Sequence, residues 1–321
     1  MKEYPSLSVI ICTYNRSTSL KTTLASLAQL DPPVGFRWEL IVVDNNSKDD
    51  TAIVVRDFEK NSGLEVRYLF EAMQGLSHAR NRGVREASGE IIVFTDDDVI
   101  VDKFWLTQLA TAFQESGCMA AGGKTVPLWP KSKPRWFDEK HPQAFEGVFV
   151  QFDLGDRPCE ATRAPFGANM AFRKAAFLKY GLFRTDLGRC GELLMSWEDS
   201  EFFSRLMARS EKVYYVPDAI VYHPVAPERT QKSYAQSVFF HNGKSQFRVT
   251  EIPEGTIIYF GVPRYLLRKF VERFVAWILS FQTKKRFRKK LLLYQTAGMI
   301  AESLQSTTHS KKLSLLHPKE H

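Results

Sequence analysis

Asp96, Asp97 and Asp98 stand side by side at the end of the apolar run "EIIVFT" (90–95). Three adjacent carboxylates repel one another, so something must use them or relieve them. They suit an acidic turn leading into a helix cap. They equally suit a hard divalent cation, because Mg²⁺ and Mn²⁺ take carboxylate oxygens and commonly bridge them to a diphosphate. A second acidic group, Glu198, Asp199 and Glu201, lies in "SWEDSEF" (196–202). Ser196 as N-cap with Asp199 behind it would make an acidic first turn, favoured by the helix dipole. Two polar clusters, Thr13-Tyr14-Asn15-Arg16 and Asp44-Asn45-Asn46-Ser47, also follow apolar runs. Thr13 and Asn15 fit a turn, and Asn46 and Ser47 read first as a helix-capping segment. Arg80 and Arg82 fit a solvated helix face, or Arg80 an anion contact. His223, in "VYHPV", is a structural histidine or an imidazole ligand, and Pro224 after it favours extended backbone.

The elements that would position these groups are legible for the first 120 residues. Strand-like runs at 7–14, 38–45, 64–70 and 90–98 alternate with helical patterns at 19–30, 48–61, 76–87 and 103–116. That alternation predicts βαβ units, a parallel sheet and helices on both faces. Strands apolar throughout fit burial on both sides. The polar clusters then fall at the carboxyl ends of three strands, the edge where open α/β sheets bind ligands. Further along, "GGKTVPLWPKSKPRWF" (122–137) reads as an irregular excursion. Residues 164–183 read as a short strand and a helix, 196–211 as a helix with an acidic start, and 213–224 as a strand. The last 65 residues are mostly helical and basic.

Five segments, "SVIICTYNR" (8–16), "LIVVDNNSKDDT" (40–51), "GLSHARNRGVREASGEIIVFTDDD" (75–98), "FGANMAFRK" (166–174) and "SWEDSEF" (196–202), occur in one order over about 220 residues. Together they resemble a family-2, GT-A-type glycosyltransferase of the inverting, nucleotide-sugar-dependent kind. The resemblance implies a GT-A, Rossmann-like α/β fold: a mostly parallel sheet flanked by helices, here with a basic helical extension at the C-terminus. It implies a catalytic domain over 1–250, with a nucleotide-binding half to about 120 and an acceptor-side half after it, followed by an extension over 251–321.

Carried onto this chain, the resemblance places Thr13, Tyr14 and Arg16 at the nucleotide, with Tyr14 near the base, and makes Asp44 an acceptor for the base edge. Gly75, Ala79, Arg80 and Asn81 would lie along the donor, with Arg80 meeting phosphate. Asp96 would contact ribose or sugar and share in the metal site, Asp98 would ligate the metal, and His223 would complete the site. Asp97 falls among the donor contacts without a definite role. Gly167 and Asn169 would line the donor-sugar pocket. Asp199 would be the general base, with Glu198 as second candidate or acceptor contact. The implied cofactor is Mn²⁺ or Mg²⁺. The implied reaction moves a sugar from a nucleotide diphosphate, UDP most commonly in the family, to a glycan or lipid-linked hydroxyl in cell-surface polysaccharide assembly. Two other readings are a catalytically inactive sugar-nucleotide-binding or scaffold protein and a nucleotidyltransferase. The latter would need a glycine-rich phosphate loop after the first strand, and "CTYNRSTS" has no glycine.

Composition narrows the setting. At 321 residues with 44% hydrophobic side chains, the chain can bury a substantial core. Its four cysteines, 12, 118, 159 and 190, lie far apart without CxxC spacing, so a reducing compartment is expected and a zinc site is not. The N-terminal apolar run is too short for a signal peptide, and no run is long enough to predict a transmembrane helix. The net charge of +8 is local: Arg264–Lys290 holds ten Lys/Arg against Glu272, or +9, leaving −1 for the remainder. Within "YFGVPRYLLRKFVERFVAWILSF" (259–281), apolar residues recur at helical spacing. That pattern suits a helix packed on the catalytic domain, or one lying on an anionic membrane with "KKRFRKK" (284–290) beside it. Without a recognition motif, nucleic acid is not an expected partner. The expected location is cytoplasmic, peripheral on the inner face of the membrane.

Overall fold

Alternate side chains of the first strand must point to opposite faces, and here both faces are covered. In a computed structural model, which describes residues 4–316 and their side chains to 306, Val9 and Ile11 join one buried cluster and Ile10 the other. The first is closed by Leu20, Leu24 and Leu27 and by Trp105, Leu109 and Phe113; the second by Ala79, Val84, Phe94, Phe172 and Phe202. At roughly 1.5–3 kcal/mol for each large apolar side chain buried, these two layers carry most of the stabilisation of the sheet.

The chain divides into two compact units. The first takes residues to Lys131, Phe149–Gly191 and Glu198–Ala226. Its strands are β1 (Leu7–Thr13), β2 (Trp38–Asp44), β3 (Val66–Phe70), β4 (Ile91–Asp96), β5 (Ile100–Val101), β6 (Ala120–Leu128), β7 (Cys159–Glu160), β8 (Met170–Arg173) and β9 (Val213–Pro224). The chain's helices begin with α1 (Ser17–Leu27), α2 (Thr51–Ser62), α3 (Leu76–Glu86) and α4 (Trp105–Ser116). A single turn, α5 (Glu146–Phe149), is followed by α6 (Lys174–Tyr180) and α7 (Glu198–Met207). Among the described residues the sheet has nine strands, in the order β3-β2-β1-β4-β8-β6-β9-β5 with β7 beside β9.

The α/β class and the alternation over the first 120 residues are as expected. β1 to β4 pair in parallel, and beyond β4 the sheet becomes mixed, with β8 antiparallel to both β4 and β6. The reading of 122–137 as wholly irregular is corrected. Its first seven residues belong to β6, a nine-residue strand between β8 and β9. The two glycines within the strand allow close approach. A Cβ on Gly122 would lie 2.2 Å from Pro165 Cβ, and one on Gly123 would lie 1.9 Å from the Ala219 carbonyl.

The second unit comprises Ser132–Val148, Glu192–Trp197 and the chain from Pro227 onward. It holds α8 (Lys232–Val249), a small hairpin of β10 (Ile258–Tyr259) and β11 (Val262–Pro263), α9 (Arg264–Ile278) and α10 (Thr283–Leu316). α8 and α10 cross at paired glycines: a Cβ on Gly243 would meet the Gln295 carbonyl at 1.9 Å, and one on Gly298 the Phe240 carbonyl at 1.9 Å. Glu302 of α10 then accepts from Arg248 at 2.7 Å and pairs with Lys244 at 3.3 Å. Among the described residues, no helix is long and apolar enough to cross a membrane.

Candidate active site

Strand register brings the polar clusters to one edge of the first unit. Thr13 pairs with Asp44 and Cys12 with Asp96, so β1, β2 and β4 end level with one another. The loops after β1 and β2 are tied together. Asn15, held at φ 51°, donates its N–H to Ser47 Oγ at 2.9 Å and accepts from Lys48 N at 2.7 Å. Asp49 accepts from Ser17 N (2.8 Å) at the start of α1 and from Thr51 N (3.2 Å) and Oγ1 (2.6 Å) at the start of α2. The cap expected from Asn46 and Ser47 is therefore supplied by Asp49, whose carboxylate satisfies open N–H groups of two helices.

Asp44 is buried, and both its oxygens have partners: Ser47 N at 2.8 Å and the Tyr68 hydroxyl at 2.7 Å. A base edge would have to share one of them. Beside it, buried Asn45 holds the next loop, donating to the Met73 carbonyl (2.7 Å) and accepting from Gly75 N (2.8 Å). Gly75 sits at φ 141°, a conformation that L side chains rarely adopt. Thr13 is buried and Tyr14 half-buried at the end of β1.

The three aspartates separate in role. Arg16 Nη1 donates to Asp98 Oδ2 at 2.7 Å and to Asp97 Oδ1 at 3.2 Å. Burial opposes the guanidinium charge, but the two carboxylates outweigh it and push the Arg16 pKa up. Asp97 is buried, and burial with Asp98 next to it lifts its carboxyl to about 7 against the pull of Arg16. Asp96 and Asp98 stay partly open and converge with His223, their ligating atoms all within 4.8 Å of one another. The short strand β5 makes this possible. Ile100 pairs with Tyr222, so the chain just after the aspartates runs antiparallel to the end of β9.

His223 is fully buried. Its Nδ1 lies 3.1 Å from the Pro224 carbonyl, which can only accept, so Nδ1 carries a proton. Nε2 makes no hydrogen bond among the described residues and lies 3.3 Å from Asp98 Oδ1. A lone pair opposed to a carboxylate calls for a cation or a proton between them. The spacing is near the edge of about 3 Å between neighbouring ligands in an octahedral site with bonds of about 2.1 Å. The two carboxylates match the oxygen preference of Mn²⁺ or Mg²⁺, and the imidazole favours Mn²⁺ of the two, so these residues fit a divalent ion.

Across from this cluster, α7 begins with Glu198 and Asp199, both buried. The helix is pinned by aromatic packing: Phe202 lies 4.8 Å from Phe177 in a stacked pair and 5.1 Å from Phe172. Asp199 Oδ2 accepts from Gly167 N at 3.0 Å and Oδ1 from Ser200 N at 2.6 Å. Glu198 Oε1 accepts from Arg80 Nη1 at 2.7 Å, while Oε2 has no partner among the described residues. Burial and Asp199 push the Glu198 carboxyl up to about 7, with Arg80 opposing. Arg80 is itself buried against Phe94 and Phe183, and its Nη2 is 4.0 Å from Asp96 Oδ1. The solvated-face reading is thereby corrected for Arg80: one buried guanidinium stands between Glu198 and Asp96.

Residues 8–181 match the family model described as "Glycosyl transferase family 2". The chain belongs to this family. It is a glycosyltransferase, and the nucleotidyltransferase reading is set aside. Over 246 residues it is 27% identical to the glucosyl-dolichyl phosphate glucuronosyltransferase of Haloferax volcanii, spanning 75% of this chain and 76% of that protein. It is 25% identical over 244 residues to the succinoglycan biosynthesis protein ExoM of Rhizobium meliloti, spanning 76% and 74%. The mannosyltransferase PcManGT from Pyrobaculum calidifontis, solved with GDP-Man and Mn²⁺, matches at 20% identity with a TM-score of 0.57, covering 99% of this chain and 82% of that one. At that identity the likeness speaks for the fold.

Within this family-2 enzyme, two residues expected along the donor also hold backbone in place. Asn81 donates to the Phe183 carbonyl (2.9 Å) and accepts from Phe183 N (3.0 Å). Asn169, fully buried, accepts from Trp105 Nε1 (2.8 Å) and donates to the carbonyls of Lys124 (3.0 Å) and Ala219 (2.8 Å). Asn169 has both amide N–H groups engaged, whereas Asn81 engages one and keeps the other; both hold loops together. Ala79 lies in the core on the α3 side. Gly167 meets its expectation of close approach differently, since a Cβ there would lie 2.1 Å from Arg80 Nη2. The individual hydrogen bonds of Asn45 and Asp49 are not legible in the sequence, because an Asx side chain in a polar loop looks alike whether it caps, clasps or faces water.

Proposed function

We propose that this glycosyltransferase is an inverting, divalent-metal-dependent enzyme that takes a sugar from a nucleotide diphosphate, a UDP-sugar by preference. The acceptor is a hydroxyl on a glycan or lipid-linked sugar, met at the cytoplasmic face of the membrane during cell-surface polysaccharide assembly. The observation that carries the reading is the convergence of Asp96, Asp98 and buried His223, with an Nε2 that lacks a hydrogen bond among the described residues. Bound there, Mn²⁺ or Mg²⁺ would supply positive charge against a leaving diphosphate. The relatives lend support: one is named for acting on a glucosyl-dolichyl phosphate, another for succinoglycan biosynthesis, and a structural neighbour was solved with GDP-Man and Mn²⁺.

In this reading Asp199 is the general base. The Gly167 and Ser200 N–H groups orient its carboxylate, which takes the proton of the acceptor hydroxyl. The acceptor oxygen bonds to the anomeric carbon as the bond to the diphosphate oxygen breaks, on opposite faces, so the configuration inverts without a covalent enzyme intermediate. Glu198, held by Arg80, positions that guanidinium near Asp96 and is the second candidate base. Thr13, Tyr14, Arg16, Asp44 and Gly75 form the nucleotide side. Asp199→Asn is expected to lower transfer by about 10³-fold, within the range general-base catalysis supplies, while donor binding stays intact by calorimetry. Turnover close to that of the unaltered enzyme would move the role away from Asp199. A donor-hydrolysis screen across UDP-, GDP- and TDP-sugars identifies the nucleotide.

A further inference from the structure

Helix α9 carries its apolar stripe on the outside. Leu267, Val271, Phe274, Val275 and Ile278 follow the i, i+4, i+7, i+8, i+11 spacing of one helical face, and all five are exposed, Val271 to 60%. Leu266, on the other side of the helix, is fully buried. The helix thus packs on one side through Leu266, beside Phe247, Val262 and Met299, and turns this stripe outward. The hairpin just before α9 adds to the surface. β10 and β11 are joined through Phe260 and Gly261, both in the left-handed region at φ 51° and 85°. Glycine or asparagine supplies that turn readily, and phenylalanine is disfavoured there. Phe260 is nevertheless 98% exposed. Neither the turn nor any packing accounts for a large apolar side chain at this tip. The tip is also held in place, since Ser303 Oγ donates to the Gly261 carbonyl at 2.6 Å.

Charge frames the same surface. Arg264 and Arg268, one helical turn apart, line an open cleft of about 410 Å³ together with Thr256, Ile257 and Tyr265. Lys284, Lys285 and Arg286 are exposed at the start of α10. A second copy of the chain would bring these cations against their own kind, whereas an anionic bilayer supplies their complement. Apolar residues that insert and cations that meet phosphate are what an interfacial helix needs.

The geometry points to a docking face for an anionic bilayer. The Phe260 tip and the α9 stripe enter the boundary between headgroups and acyl chains, and the Arg264–Arg268 cleft receives a lipid phosphate. This deepens the membrane setting proposed above and rests on that part of it, but not on the donor chemistry. The test is flotation of the full-length protein with vesicles of phosphatidylcholine, alone or mixed with phosphatidylglycerol. Binding to the mixed vesicles is expected to be about tenfold tighter. Phe260→Asn, which suits the turn, should keep or raise the melting temperature and weaken binding about fivefold or more. Arg264→Gln with Arg268→Gln should bring binding down to the level of phosphatidylcholine alone. Donor hydrolysis should be unchanged in both variants, so loss of vesicle binding and failure of the donor chemistry are read separately. Equal binding to the two vesicle types, or wild-type binding by Phe260→Asn, overturns the proposal. So does retention on polyuridylate RNA without vesicle binding, or dimerisation in solution abolished by Val271→Glu with Phe274→Glu.

Discussion

At the scale of single residues, the sharpest feature is an imidazole fixed in one tautomer. With Nδ1–H committed to the Pro224 carbonyl, Nε2 is left as a lone pair facing Asp98. His223→Ala is therefore expected to weaken Mn²⁺ binding by at least about tenfold, on the scale known for outer-shell losses at metal sites. Manganese titration followed by electron paramagnetic resonance measures this, and unchanged affinity would remove His223 from the ligand set. Asp96, Asp98 and His223 could be named as candidates because the five segments resemble the family, and their convergence is what the structure adds. The roles of Asn81 and Asn169 were not legible in the sequence. An amide donates or accepts according to which backbone lies opposite, and those partners, Phe183, Lys124 and Ala219, are set by tertiary structure. Burial of Arg80 was hidden for the same reason, since its neighbour Glu198 is more than a hundred positions away.

At the scale of elements, β1, β2, β3 and the end of α3 meet at one carboxylate. Glu39 of β2 accepts from Ser8 Oγ (2.6 Å), from Ser88 N and Oγ (both 2.7 Å) and from Arg67 Nη1 (3.0 Å). Burial works against its ionisation, but these donors prevail and lower its pKa to about 2. Because the folded value lies below the ordinary one, the contribution is present above about pH 4.5 and is lost as pH falls towards 2. Glu39→Gln should cost about 1–2 kcal/mol at pH 7, after allowance for screening by water, and the difference should vanish near pH 2. Urea unfolding at several pH values checks both the size and the direction. The first four strands and their helices were readable because long apolar runs and amphipathic periods repeat there without interruption. β6 was not, since the Pro-, Lys- and Trp-rich stretch that follows hid its end, and Gly122 and Gly123 are set by the approach of Pro165 and Ala219.

At the scale of the whole molecule, charge and chemistry are segregated. Arg264–Lys290 carries +9 and lies in the second unit, while Asp96, Asp98, His223 and the acidic start of α7 lie in the first. Removing the basic segment by truncation is a poor way to test it, because α10 packs against α8 at Gly243 and Gly298, and cutting it away would strip a helix face bare. Ligand linkage is a cleaner probe of the first unit. Mn²⁺ with a nucleoside diphosphate at about 100 times its dissociation constant stabilises the folded state by about 2.7 kcal/mol. For a unit of this size that corresponds to a rise in melting temperature of roughly 5–10 °C. Scanning calorimetry should show the rise only when metal and nucleotide are present together, and no rise with any nucleotide would count against the donor site.

The clasp between the first two loops bears on how such an enzyme changes over generations. Asn15 grips Ser47 and Lys48, and Asp49 grips Ser17 and Thr51. A mutation on either side is thus judged by what stands on the other. Variants at 15–17 and 47–49 should display epistasis, with paired exchanges tolerated where single ones fail. A lineage altering its nucleotide preference at this edge would have to travel by coordinated steps, which makes the clasp a brake on drift in specificity.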